Sequence, residues 1–239
     1  MGFCAKVGGE DAVKPVLVVD CYVEGDGSEA FRRLLVGRPT TVWRALHEPR
    51  PPAVLPYAGI LISGSAACVT APEPWMDALT DLILDASVAG VPVLGICFGH
   101  QMVAHALFGQ EAVRKSATPE IGWTDISVIK DDPLFAGLSD GFNTFNTFES
   151  HFDEVVACPG MTVFASSERC AVQAYRVEGK PIWGVQFHAE MTEEEAVALA
   201  TRRITDRPDL GFDLESKLAE ARDSTDLASR LVENFLGPA

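Results

Sequence analysis

Gly95-Ile96-Cys97-Phe98-Gly99-His100-Gln101 follows directly on the apolar run Val91 to Ile96, and the architecture is read outward from it. An apolar run that stops at a cysteine set between two glycines has the pattern of a strand, a tight turn and a helix start. The glycines let the backbone turn sharply and leave space above the sulfur. The helix that follows aims free N–H groups and its positive dipole end at the thiol, which stabilises the thiolate. A thiolate so placed attacks carbonyl carbons.

Such a nucleophile needs a base, and Ile182-Trp183-Gly184-Val185-Gln186-Phe187-His188-Ala189-Glu190 supplies one about ninety residues later. The run Ile182 to Phe187 reads as a buried strand that ends at the histidine. In extended backbone, residues two apart project to the same side. His188 and Glu190 therefore fall together, with the carboxylate holding one ring nitrogen while the other faces Cys97.

Those two segments, G-x-C-x-G-x-Q and a late F-H-x-E in that order and at that separation, resemble the class I glutamine amidotransferase family over roughly residues 16 to 195. The resemblance implies a Cys97–His188–Glu190 triad that cleaves the γ-amide of glutamine through a γ-glutamyl thioester. It also implies an oxyanion hole. The apolar strand Gly59 to Ile62 runs into Ser63-Gly64-Ser65, where the N–H groups of Gly64 and Ser65, together with that of Phe98, would cradle the oxyanion. Ala66 stands where many relatives have proline, but the role calls for N–H groups rather than for a side chain. Gln101 matches a position that helps to bind glutamine. The segment Glu149-Ser150-His151-Phe152-Asp153-Glu154 resembles a loop lining the glutamine pocket, which makes Ser150 and His151 substrate-binding candidates, through their backbone more than their side chains.

Composition narrows the classes of partner. Of the 239 residues, 47% are hydrophobic, enough for a substantial core in a single domain. A net charge of −15 with no basic stripe argues against nucleic acid or an anionic membrane as a partner. The cysteines at 4, 21, 68, 97, 158 and 170 form no C-x-x-C pair or zinc-finger spacing. They read as reduced thiols of a cytoplasmic protein, with Cys21, Cys68, Cys158 and Cys170 as buried filler. Met1 to Lys6 reads as an ordinary N-terminus without a signal peptide, and no run approaches the roughly 20 apolar residues of a membrane span. No metal is expected at His151, Asp153 and Glu154, and no cofactor is called for, since thiol chemistry needs neither.

The chain alternates apolar strands and helical patterns: strands at Val16 to Asp20, Thr40 to Trp43 and Gly59 to Ile62, and helices at Ser28 to Val36 and about Pro74 to Ala89. This alternation favours parallel βαβ units with the site at the carboxyl ends of the strands. The expected fold is α/β, a mostly parallel open sheet flanked by helices, flavodoxin-like as the resemblance implies. Shorter segments at Trp123 to Ile129, Asn143 to Phe148, Met161 to Ser166 and Ala171 to Tyr175 predict a small antiparallel β insertion. Thr192-Glu193-Glu194-Glu195 matches a capping box. The chain is expected to form one amidotransferase-like domain, with about 196 to 239 as a helical C-terminal extension that includes a helix from Thr225 to Leu236.

The ammonia implies an acceptor. No ATP-binding Gly-rich loop occurs, so the resemblance implies that the partner is a separate synthetase subunit, and that the small-molecule substrate is glutamine. Two alternatives stand beside this. Leu94-Gly95-Ile96-Cys97-Phe98-Gly99-His100-Gln101 is also similar to the elbow of γ-glutamyl peptidases, which act on glutathione-like γ-glutamyl substrates. The other alternative is a non-catalytic regulatory protein on the same fold, against which the intact triad counts.

Overall fold

The computed structural model describes residues 13–138 and 143–237. Met1 to Lys6, and Cys4 with it, lie outside the described residues. One nine-stranded sheet has the order β2-β1-β3-β4-β9-β8-β7-β5-β6. Its first half comprises β1 (Val16–Asp20), β2 (Thr40–Arg44), β3 (Gly59–Ile62), β4 (Val93–Ile96) and β9 (Ile182–Val185), all parallel. The connections are helical: α1 (Ser28–Leu34), α2 (Trp75–Ala89) and α3 (Phe98–Phe108). β1 explains why the pattern is a doubly covered sheet. Val16 and Val18 enter one hydrophobic cluster with Phe31 of α1, while Leu17 and Val19 enter the other with Leu79 and Ile83 of α2. A strand buried on both faces needs apolar residues at every position, and this one has them.

The second half is antiparallel: β5 (Val113–Val128), β6 (Thr144–Val155), β7 (Met161–Ser166) and β8 (Ala174–Val177). These strands, inserted between α3 and β9 as expected, are hydrogen-bonded into the main sheet and extend it. β5 runs for 16 residues and β6 for 12, longer than the apolar segments within them, because the two strands pair with each other along most of their length. Glu149 to Glu154, expected as a loop, therefore lies within β6. The sheet curls, so that Phe148 of β6 forms an isolated antiparallel bridge with His188, just beyond β9.

After β9 come α4 (Glu193–Asp206), α5 (Leu214–Ala219) and α6 (Thr225–Leu236). α4 begins in the expected capping box, with Thr192 accepting from the Glu195 N–H and Glu195 accepting from the Thr192 N–H. α6 buries Ala228, Leu231, Val232 and Phe235, the i, i+3, i+4, i+7 stripe of an amphipathic helix, on the same sheet face as α1. Among the described residues no helix is long and apolar enough to cross a membrane.

The packing of α3 on β4 is tight enough to exclude side chains. A Cβ on Gly95 would collide with the carbonyl of Gly99, and one on Gly99 would lie 2.5 Å from the carbonyl oxygen of Ile62. Both collisions are with backbone, which no rotamer change relieves. Gly95→Ala is expected to destabilise the protein by about 1–3 kcal/mol or more through overpacking, read from the midpoint of urea unfolding; an unchanged midpoint would contradict this packing.

Candidate active site

Cys97 has φ +51° and ψ −104°, the one positive φ at a non-glycine among the described residues. Such strain costs on the order of 1–3 kcal/mol and is retained where the surrounding structure fixes it. Here β4 ends at Ile96 and α3 begins at Phe98, so the thiol stands at the crest of a sharp turn. The side chain is buried and its Sγ lies 3.8 Å from the carbonyl oxygen of Ser150. Phe98 is the first residue of α3, where N–H groups have no intrahelical acceptor. Its ring packs on Trp75 at 5.5 Å.

His188 and Glu190 lie past the end of β9, and their extended backbone brings His188 Nδ1 within 2.7 Å of Glu190 Oε1. The histidine is fixed from behind as well, since its N–H donates to the Phe148 carbonyl at 2.8 Å. Burial alone would push the imidazole pKa down, but the charges of Glu190 and Cys97, with hydrogen bonds from both, hold it well above the usual histidine range. The favoured form is an imidazolium facing the sulfur. Gly64 closes the third side: a Cβ there would lie 2.8 Å from His188 Cε1 and 3.7 Å from the Cys97 Cβ. The site admits backbone at that position and nothing larger. Ser65 lines the adjoining groove, and its hydroxyl accepts the Ala67 N–H at 3.1 Å.

The remaining expected residues divide. Ser150 lines the groove beside His188. Gln101 is buried behind the nucleophile, where its Nε2 donates to the Asp153 carbonyl at 2.9 Å and to Gln186 Oε1 at 3.1 Å, so its amino group braces β6 against the elbow. The side chain of His151 leaves the site altogether. It is held between the Asp153 carbonyl at 3.0 Å and Glu120 Oε2 at 2.9 Å, and Glu120 in turn takes donors from Ser167 and Gln173. His100 packs on Tyr175 at 4.8 Å, and burial lowers its pKa to about 3, which leaves it neutral.

Asp153 accepts from Thr70, and Glu154 pairs with Arg114 at 2.7 Å, so these two acids and His151 go to three separate partners. Glu120, His151 and Cys170 do bring potential ligand atoms within 4.8 Å of one another. Glu120 is already saturated with donors, and burial pushes the Cys170 thiol up, away from the thiolate that a metal takes. Cys21 and Cys170 are buried, whereas Cys68 and Cys158, expected to be buried, are partly exposed.

Beside the sulfur runs a groove of about 780 Å³, lined by Tyr22, Ser65, Ser150, His188, Leu199 and Arg203 among others. Sequence reading did not find Tyr22 or the α4 residues, since nothing in their spacing marks them. Burial raises the Tyr22 pKa, with the charges of Glu190 and Cys97 adding to the effect, so it stays a neutral phenol near the pair. A second cavity of about 420 Å³, around Asp132 and Phe135, holds none of these residues.

The family model described as glutamine amidotransferase class-I matches residues 17–203. Over 195 residues the chain is 37% identical to the glutamine-hydrolyzing GMP synthase of Stenotrophomonas maltophilia, a match covering 80% of this chain and 36% of that protein. The chain thus spans about a third of that relative's length. It is 44% identical over 106 residues to a protein of Saccharolobus solfataricus named as one subunit of glutamine-hydrolyzing GMP synthase, covering 44% of this chain and 54% of that one. Among solved structures, a glutamine amidotransferase from Methylobacillus flagellatus superposes with a TM-score of 0.68 at 26% identity, covering 94% of this chain and 90% of that one. A glutamine amidotransferase from Thermotoga maritima superposes with a TM-score of 0.76 at 19% identity, covering 95% and 99%, and speaks for the fold alone.

The Glu190 charge is what keeps His188 protonated against its burial. Glu190→Gln removes that charge, so His188 should lose its proton at lower pH. The imidazole titration followed by NMR should shift downward, and the alkaline limb of any activity profile should move with it. An unmoved titration would mean that Glu190 does not set the charge state of the ring.

Proposed function

The chain belongs to the class-I glutamine amidotransferase family, and we propose that it hydrolyses the γ-amide of glutamine and supplies the ammonia to a separate synthetase subunit. The observation that carries this reading is the strained elbow at Cys97 facing a histidine that is itself fixed by Glu190 at 2.7 Å. In the proposed reaction the Cys97 thiolate attacks the γ-carbonyl carbon and the C=O electrons move to oxygen. The N–H groups of Gly64, Ser65 and Phe98 receive that oxyanion. His188 gives its proton to the nitrogen as the C–N bond breaks, releasing ammonia and leaving a γ-glutamyl thioester. Water then attacks with His188 as base, and glutamate departs. Glu190 orients the ring and holds its charge without touching substrate.

One relative supports a separate partner, since the Saccharolobus protein is named as one subunit of its enzyme, whereas the Stenotrophomonas protein carries its further stretch on the same chain. In this reading the chain is a single amidotransferase-like domain, with about 196–239 as its helical extension. The absence of disulfides at the five described cysteines accords with a cytoplasmic setting. One observation favours a second reading. The groove, at about 780 Å³, is of the size that houses drug-sized ligands, which leaves space for a leaving group larger than ammonia, as in γ-glutamyl peptides.

Cys97→Ala should abolish turnover of glutamine, and a diazo-ketone analogue of glutamine should label Cys97 alone; labelling of the partly exposed Cys68 or Cys158 instead would sink the assignment. His188 performs both proton transfers and Glu190 only orients it, so His188→Ala should cost more in kcat than Glu190→Ala. Ammonia release from glutamine should be slow for the chain alone and faster with a synthetase partner. Rapid release of Cys-Gly from glutathione, with slow glutamine hydrolysis throughout, would favour the peptidase.

A further inference from the structure

Arg203, in the last turn of α4, lines the groove beside the nucleophile. Its guanidinium lies over the ring of Phe152, 5.7 Å from the centroid, and its Nε is buried without a hydrogen-bond partner. Arg207 approaches the same ring at 5.2 Å, but it is neutralised by Asp209 at 2.8 Å. Arg203 forms no ion pair among the described residues. That is notable in a chain with 34 acidic residues to 19 basic ones, where a carboxylate partner is easy to come by. A planar fork held by stacking and paired with none of the described carboxylates is suited to receive a carboxylate in two-point contact.

The fixed charge and the length of a γ-glutamyl unit point to its α-carboxylate. Phe152 is two residues beyond Ser150, whose carbonyl faces the thiol at 3.8 Å. Two residues of strand span roughly 6–7 Å. Glutamine has a short aliphatic chain between its reacting carbon and its α-carboxylate carbon, an extended reach of roughly 5 Å. The two lengths are of the same order, so a γ-glutamyl unit attached at Cys97 is long enough to reach the groove wall that Arg203 forms. Ser65 and Ala66, at the turn after β3, line the same groove as Arg203.

We propose that Arg203 is a specificity residue that binds the α-carboxylate of the γ-glutamyl unit, oriented for that contact by the Phe152 ring. This rests on the proposed Cys97 chemistry. The competing explanation is that Arg203 serves only as a cation at the C-terminal end of α4, which the helix dipole favours. Lysine would serve that purpose as well as arginine, whereas it cannot form the two-point contact.

The full-length chain is treated with the diazo-ketone analogue of glutamine and with the α-amide of that analogue, which lacks the carboxylate charge, and the rate of Cys97 labelling is followed by mass spectrometry. The wild type should prefer the free carboxylate by about tenfold or more, the size of a charge-assisted contact. Arg203→Gln should bring the preference close to one, with the loss in half-saturating concentration rather than in the maximal labelling rate. Arg203→Lys should recover only part of it. A preference that survives Arg203→Gln, an equal loss with both reagents, or full recovery by lysine would each overturn the inference while Cys97 labelling stands. Failure of the wild type to label at Cys97 with either reagent would instead remove the reading beneath it.

Discussion

The sharp turn at Cys97 constrains everything near it. Its positive φ is tolerable only if β4 and α3 are clamped on both sides, and the clamp is the contact of Gly95 with Gly99 and of Gly99 with Ile62. Those contacts lie in the middle of the sheet, with β3 and β9 hydrogen-bonded to either side of β4. The strain, on the order of 1–3 kcal/mol, is small against the burial of the central strands, so the core can hold it. The consequence is chemical: the sulfur is held at the carboxyl end of the central strand, in front of a helix N-terminus, before any substrate arrives.

The second constraint is the curl of the sheet. By hydrogen-bonding order β6 is the strand at the far edge, yet it returns to bridge His188. One strand thus serves both members of the Cys97–His188 pair, with the Phe148 carbonyl taking the His188 N–H and the Ser150 carbonyl facing the Cys97 sulfur. Its alternation divides the labour. Ser150 borders the groove and the Phe152 ring lies under the Arg203 guanidinium, while Glu149, His151 and Asp153 are buried on the other side. There His151 and Asp153 are tied to Glu120 and Thr70, and Gln101 reaches the same strand from α3. Burial and the neighbouring Glu120 raise the Glu149 pKa well above the usual carboxylate range, so it adds no negative charge next to the thiolate.

Much of this was legible in the chain itself. β1, β3 and β7 begin and end where their apolar runs do, and the capping box at Thr192 is a purely local signal. His188 and Glu190 could be paired from the period-2 geometry of extended backbone alone. β5 and β6 were harder because half their positions are polar, and their length comes from pairing with each other across the curl. The burial of His151 was hidden for the same reason, since its partner Glu120 is 31 residues away and joins it only through strand register. Arg203 carried no signal, because an arginine in a helix reads as solvated surface until the ring beneath it is located.

The charges of the site follow from where water is excluded. The Cys97–His188–Glu190 set is buried, and in the proposed reaction a thiolate, an imidazolium and a carboxylate form an alternating row whose members stabilise one another. Its net charge is negative, and the chain around it is at −15, which by itself would repel an anionic substrate. A carboxylate-bearing substrate needs local positive potential to enter such a groove. The oriented N–H groups at the start of α3 supply part of it, directed at the reacting oxygen. In the proposed binding mode the guanidinium of Arg203, on the groove wall, supplies the rest, so that the two ends of the substrate meet separate positive sources and the thiolate is not neutralised.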